Sequence, residues 1–380
     1  MPRVDKRSNS PRTVTQWEIA RRCGVNQATV SLALRHDPRV KKGTLDRVLQ
    51  VAAELGYDPA IHDMARRLVS RRHGTLMMNR LVALLLPPYF YRATYFARIV
   101  QGIMDEITRA RFTLVIHYNG LPNAEDDAMP LPPIFHCGGV DGVIAYAGPP
   151  RFNALLDQLQ NCAGFTNNPV VSLLGPASEC CSVVTDDRQG AYRATAHLLD
   201  LGHRHLLQFC YYAGRSTIID RLAGVEQAMR ERGLDPATYL HRYDLPRDWL
   251  HPARPESRPA QLDDIGDEQP LVAYLRANPE ISGILAHNDF SALRIRDTLR
   301  DAGWRVPEDY SLVGFNDETD LGYDTAAHNQ LTTVRLPLEE VGQQAARLLL
   351  EQVTDQQPRQ EECLTLPTEF IVRGTTTVAR

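Results

Sequence analysis

No stretch of this sequence stays apolar for the roughly 18 residues needed to cross a bilayer; the longest run, Leu81 to Pro88, is strand length. The basic N-terminus, with Arg3, Lys6, Arg7 and Arg12, is not followed by an apolar segment, so no secretory leader and no membrane partner are expected. The chain reads as cytoplasmic. Its seven cysteines form no CxxC pair and no Cys/His group at zinc-ligand spacing, so neither a metal nor a cofactor is expected. The adjacent Cys180 and Cys181 read as free thiols of a reducing compartment. GxGxxG, P-loop, GxSxG and HExxH motifs are absent, and no Ser/His/Asp grouping suggests itself, so catalytic residues are not expected.

What is present is a globular composition, 43% hydrophobic and 23% charged, over 380 residues, enough for two or three folding units. The net charge of −4 conceals an asymmetry. Residues 1–80 hold 16 Lys and Arg against 7 Asp and Glu, whereas the remaining 300 hold 26 against 39. A basic head on an acidic body suits a phosphate-contacting module joined to a domain that does not touch nucleic acid. A solvated basic tail accounts for residues 1–12 but not for the ordered pattern that follows.

Thr15 with Glu18 is a capping box that starts a helix, with Trp17, Ile19 and Ala20 as its apolar face and Cys23-Gly24 as its stop. Asn26 caps a second helix, whose inner face is Ala28 or Thr29, Val30, Ala33 and Leu34. A third helix runs from about Lys42 to Leu55 on a stripe of Val48, Leu49, Val51, Ala52 and Leu55. Two short helices joined by a tight Gly-containing turn form a helix-turn-helix, whose second helix fits the major groove.

Downstream, short apolar runs (81–86, 112–117, 142–146, 170–174, 205–211, 283–286, 311–315) alternate with amphipathic helices such as 95–109, 190–201 and 292–302. Such alternation predicts parallel sheets covered by helices on both faces. Some 300 residues of it suit two lobes better than one.

The run Ile19-Ala20-x-x-x-Gly24-Val25-Asn26-x-x-Thr29-Val30-Ser31-x-x-Leu34, followed by Ala53-Glu54-Leu55-Gly56-Tyr57-x-Pro59, resembles the DNA-binding signature of the LacI/GalR family. Later runs resemble that family in the same order: Val140 to Ile144, Asp186-Asp187-x-x-Gly190, His197 to His205, Arg221 to Gly224, Ala286 to Asp289, Ser311 to Asp317 and Leu331 to Val334. The resemblance implies an all-α helix-turn-helix domain, then a two-lobed α/β sensor similar to periplasmic binding proteins. The expected boundaries are a tail at 1–12, a helix-turn-helix at 13–59, a hinge at 60–78 and a sensor at 79–380. The lobes would hold 79–202 with 318–358, and 203–317 with 359–380.

By this resemblance Gln27, Ala28 and Leu32 would read bases, while Thr15, Asn26, Thr29 and Ser31 would hold phosphates and set register. Gln27 can pair with adenine, whereas Ala28 and Leu32 offer only apolar contact, for instance to a thymine methyl. Lys41 stands where the family places a helix cap, so the third helix lacks one. In the hinge, Ala65 and Leu68 would enter the minor groove, Leu68 as a wedge; the alternative is a plain basic linker. The implied effector contacts are Phe90, Phe96, Arg221, Trp249, Asn288, Asp289 and Asn316. Asn288 and Asp289 could equally cap a helix, and Phe96 could be core. Leu174, Ala145 and Thr185 depart from the polar groups usual in sugar-responsive members. The implied partners are a pseudo-palindromic operator in double-stranded DNA, a sugar-like small-molecule effector and a second copy of the chain in a homodimer. Regulation of transcription, most simply repression in a bacterial nucleoid, is the implied function. A transport-type solute-binding protein and an α/β enzyme are its rivals. No leucine-heptad tail follows the final strand, Leu364 to Phe370, so a tetramer is not expected.

Overall fold

A computed structural model of the chain describes residues 14–34, 37–57, 78–86, 94–118, 131–136, 138–146, 151–162, 165, 168–177, 179–210, 216–244, 270–318, 330–355 and 362–380. It divides into two compact units, Met1–Met78 and Asn79–Arg380.

In the first unit, α1 (Gln16–Cys23) opens on the expected capping box: the Thr15 N–H donates to Glu18 Oε2 at 2.8 Å, and the Glu18 N–H points back to Thr15 Oγ1. It closes at Gly24, whose φ of +65° is the left-handed conformation that glycine tolerates. Helix α2 (Gln27–Ala33) is capped by Asn26, and α3 (Lys42–Glu54) starts at Lys41 without a side-chain cap. Ile19, Ala20, Cys23, Val30, Ala33, Val48, Ala52 and Tyr57 form the core of this unit. Trp17 does not join them. It is 58% exposed, with the Arg21 guanidinium over its ring. At about 100° per residue Trp17 lies on the far side of the helix from Ile19, so placing both on one face was wrong.

The second unit begins with β1 (Leu81–Leu86), α4 (Thr94–Arg109), β2 (Thr113–Tyr118), α5 (Pro133–His136), β3 (Gly142–Tyr146), α6 (Arg151–Gln160), β4 (Val170–Leu173) and β5 (Cys181–Thr185). It continues with α7 (Asp187–Asp200), β6 (His205–Cys210), α8 (Ser216–Glu231), α9 (Pro236–Tyr239), β7 (Leu240–Asp244), α10 (Pro270–Ala277), β8 (Ile281–Leu285), α11 (Asp289–Asp301) and β9 (Ser311–Asn316). It ends with β10 (Thr332–Arg335), α12 (Leu338–Asp355), β11 (Cys363–Leu366) and β12 (Glu369–Ile371).

One six-stranded sheet, ordered β11-β5-β4-β3-β1-β2, is parallel throughout. The other, ordered β12-β10-β9-β8-β6-β7, is parallel except for its β12 edge. The unbroken apolar run of β1 is the mark of a strand covered on both faces: Leu84, Leu85 and Leu86 are fully buried. Each such side chain contributes about 1.5–3 kcal/mol. Leu85, Phe135, Val143 and Leu159 belong to the core of the first lobe; Leu207, Ile284, Ile295 and Leu312 belong to that of the second.

Three elements change lobe relative to the sequence expectation. Helix α7 packs on α8, β8, β10 and β12, so it and β10 belong to the second lobe rather than the first. Strand β11 pairs with β5 in the first lobe rather than the second. The final strand, expected as one element from Leu364 to Phe370, is two strands in different sheets. Pro367 separates them; it has no N–H to continue a ladder, and the chain crosses between lobes there. Strands β5, β7 and β10 were not anticipated.

Candidate DNA-reading helix and effector cleft

On α2, the Asn26 carboxamide oxygen accepts from the Thr29 N–H at 2.7 Å and from its hydroxyl at 2.8 Å. This cap fixes the start of the helix and leaves the next two positions free of the core. Gln27 and Ala28 are exposed, while Thr29, Ser31 and Leu32 are half-buried. A four-residue apolar period, Val30 and Ala33 with Leu34 behind, turns the opposite face inward. The outward face carries one amide able to make a bidentate contact and small apolar neighbours, the set expected of a base-reading surface. Thr15 caps α1, as it must if its hydroxyl is to sit near a helix end and a phosphate. Ala65 and Leu68 lie outside the described residues, as do Phe90 and Trp249.

In the second unit, the cleft is built at the carboxyl ends of parallel strands, where open α/β sheets bind ligands. Arg221 on α8 is its centre. Its Nε donates to Asp187 Oδ1 at 2.5 Å, its Nη1 donates to the His287 carbonyl at 2.8 Å, and its guanidinium carbon lies 3.6 Å from the centroid of the Phe315 ring. Asp187 also accepts from the Thr185 hydroxyl at 2.5 Å. The Arg221 and Asp187 side chains are 13% and 1% exposed, so the pair is largely desolvated and rigidly oriented. Gly224 makes this possible. A Cβ there would lie 2.1 Å from the Arg188 carbonyl oxygen, so only glycine lets α8 approach α7 one turn beyond Arg221. Thr185 is therefore a support for Asp187 rather than a lost ligand contact, and the Asp186 side chain caps α7 by accepting from the Gln189 N–H.

Tyr95, in the first turn of α4, carries the first lobe into this group. Burial pushes its phenol well above the ordinary range; the fields of Tyr146 and Asp187 add to the shift and Arg221 opposes it. Asn316 ends β9 with φ +103° and is followed by Asp317 at +54°. Two successive non-glycine residues with positive φ mark a strained strand end, a common feature of ligand sites. The Asn316 amide donates to Glu318 Oε1 at 2.7 Å, while its buried Oδ1 has no hydrogen-bond partner among the described residues. Burial alone would raise the Asp317 carboxyl, but hydrogen bonds from Arg335 and Arg373 outweigh it and hold it below the usual range. Asp317 thus braces this turn from behind.

Other anticipated contacts take the blander roles. Phe96 is 5% exposed and packs edge-on against Tyr146 and Tyr95, so it is core, and it is its neighbour Tyr95 that feels the charges of Asp187 and Arg221. Asp289 is fully buried, accepting from the Thr333 hydroxyl at 2.5 Å and from the Glu318 N–H at 2.7 Å. It anchors the turn after β9 and is not presented to a ligand. Asn288 caps α11 in a reciprocal box with Ser291. Leu174, at φ +58°, and Ala145 are buried. The residues missed from the sequence are Tyr95, Tyr146, Asp187 and Glu318. Tyr146 could have been found as the last residue of a predicted strand, and Glu318 by its closeness to Asn316.

Residues 16–60 match the lacI family of bacterial regulatory proteins, and residues 195–376 match a periplasmic binding protein-like domain. The chain belongs to the LacI family. The HTH-type transcriptional repressor CytR of Escherichia coli K12 is 26% identical, over 95% of this chain and 96% of that protein. PurR of Photobacterium profundum, also an HTH-type transcriptional repressor, is 26% identical over 89% and 91%. Among solved structures, the lac repressor dimer bound to operator and the anti-inducer ONPF superposes with a TM-score of 0.64 at 19% identity, covering 96% of this chain and 100% of that one. The transcriptional regulator CelR in complex with cellobiose gives 0.59 at 24% identity, covering 95% and 99%. This LacI-family member is a DNA-binding transcription regulator, a reading the relatives favour over solute transport or catalysis. Among the described residues no helix is long and apolar enough to cross a membrane.

Proposed function

We propose that the chain is a repressor that binds a pseudo-palindromic operator as a homodimer and changes its grip when a sugar-like effector enters the cleft between the lobes. The observation that carries the reading is the outward exposure of Gln27 and Ala28 on a helix whose start Asn26 fixes. Ala65 and Leu68 of the hinge belong to the same proposal, as minor-groove contacts. A homodimer is supported by apolar side chains exposed on the first lobe: Val115 and Ile116 on the edge strand β2, and Met104 on α4, the helix that packs on that strand. The effector class is supported by Arg221, Gln208 and His287, the polar side chains of an otherwise mostly apolar cavity at the ends of β6, β8 and β9; their hydrogen-bonding groups suit the hydroxyls of a polyol. A regulator from Enterococcus faecium holds ribose, and CelR holds cellobiose. An effector can shift the lobes only by its difference in affinity for their two arrangements.

Selection of random duplexes by the purified chain, followed by anisotropy on the enriched site with and without a panel of mono- and disaccharides, tests the proposal. A palindromic consensus, affinity that falls steeply with salt, and a shift with at least one sugar are expected. Enrichment of no sequence would refute the reading, and so would a consensus unchanged by Gln27→Ala.

A further inference from the structure

At the amino end of the second sheet, far from the cleft, three strands bring together two imidazoles and a carboxylate. His205 begins β6, His241 lies near the start of β7, and Glu280 immediately precedes β8. The order β7-β6-β8 makes them neighbours. A register irregularity between His205 and Leu206 leaves Ser282 of β8 unpaired and re-aims the strand at this point. The Tyr239 ring packs against that of His205, with centroids 4.9 Å apart. His205 Nδ1 lies 3.3 Å from His241 Nε2, and His241 Nε2 lies 3.6 Å from Glu280 Oε1. All three ligand atoms fall within 4.8 Å of one another. Among the described residues this is the single such grouping of three His, Cys, Asp or Glu.

At 3.3 Å the imidazole pair is a long hydrogen bond, beyond the about 2.7–3.2 Å usual for N–H donors, and the same spacing suits a shared cation. Tetrahedral zinc with bonds of about 2.0–2.1 Å sets its ligand atoms about 3.3–3.4 Å apart. The spacing between the two nitrogens matches the edge of that tetrahedron; the Glu280 carboxylate, whose side chain is 40% exposed, lies 3.6 Å from His241 Nε2 and within 4.8 Å of His205 Nδ1, and closes on the cation by a change of rotamer. We propose that His205 Nδ1, His241 Nε2 and Glu280 form a zinc-binding site, with water in the fourth position. Two neutral imidazoles and one carboxylate are a ligand set suited to this borderline cation. The site clips the outer strand β7 and the strand β8 to β6. It is separate from the effector cleft: His205 and the carboxyl end of β6 are five residues apart, roughly 16 Å along a strand.

The test uses tag-free full-length protein stripped with a chelator, titrated calorimetrically with zinc chloride alone. A single equivalent per chain is expected, together with a rise in the melting temperature and, with cobalt substituted, the intense visible absorption of a four-coordinate ion. His241→Ala should lower the affinity by more than the roughly 10- to 100-fold that loss of an outer partner costs, and should abolish the melting shift. Glu280→Gln, at an exposed position, should lower the affinity while leaving the metal-free melting temperature unchanged, which separates loss of the site from loss of the fold. Absence of saturable zinc binding in the parent chain overturns the proposal, as does binding that survives either substitution undiminished.

Discussion

Replacing Arg221 with Ala should expose how far the cleft is also a structural joint. The substitution removes the donor to Asp187 at 2.5 Å, the donor to the His287 carbonyl at 2.8 Å and the cation resting on Phe315. Among the described residues Asp187, whose side chain is 1% exposed, would keep only the Thr185 hydroxyl. Breaking a buried pair by removing one partner costs about 3–5 kcal/mol, because the remaining charge is desolvated and uncompensated. Arg221→Ala should therefore destabilise the second lobe by about that amount. Adding Asp187→Asn removes the stranded charge and leaves a neutral group short of a partner, a deficit of about 1–3 kcal/mol. The double variant should thus be more stable than the single one. Urea unfolding followed by fluorescence is a suitable assay, since Trp304 packs against the core of this lobe. Both variants should lose the effector response, so stability and ligand recognition separate. A loss below about 1 kcal/mol in Arg221→Ala, or a double variant no more stable than the single, would refute the reasoning.

Three further outcomes follow from the same geometry. Gln27→Ala should weaken operator binding by about 1–3 kcal/mol, with relaxed preference at one base pair and an unchanged salt slope, since the lost group is uncharged; anisotropy on single-base variants checks this. Gly224→Val places side-chain atoms where even a Cβ would meet the Arg188 carbonyl at 2.1 Å, so melting of the sensor should show a loss of about 1–3 kcal/mol and the effector response should weaken with it. His203 is buried with both ring nitrogens bonded, to Ser282 on one side and to Ser311 and the Thr377 carbonyl on the other, and burial lowers its pKa below 6.5. The unfolded chain then binds the extra proton first, so this contribution is present above about pH 6.5 and is lost as the pH falls toward the folded value. Denaturation at pH 5.5 and 7.5 should show that loss, and His203→Gln should reduce the slope between the two; an unchanged slope would assign the effect to other groups.

Much of this protein was legible without coordinates because its signals are local. A capping box, a glycine stop and an apolar stripe specify α1, α2 and α3 within a few residues of themselves, and the buried run Leu81–Leu86 announces a strand covered on both sides. Trp17 was misplaced because a large apolar side chain was counted without its angle on the helix. The cleft was legible only in outline: Arg221 and Asn316 came from order along the chain, but Tyr95, Tyr146 and Glu318 did not.

The amino-acid order by itself determined the helix-turn-helix, the alternation of strands and helices, and the charge division between head and body, since each depends on neighbours a few positions apart. Which sheet received α7, β10 and β11 was decided only by tertiary packing, as was the commitment of Asp289 to the interior. So was the meeting of His205, His241 and Glu280. Periodicity says which face of an element is buried, but not which distant element covers it.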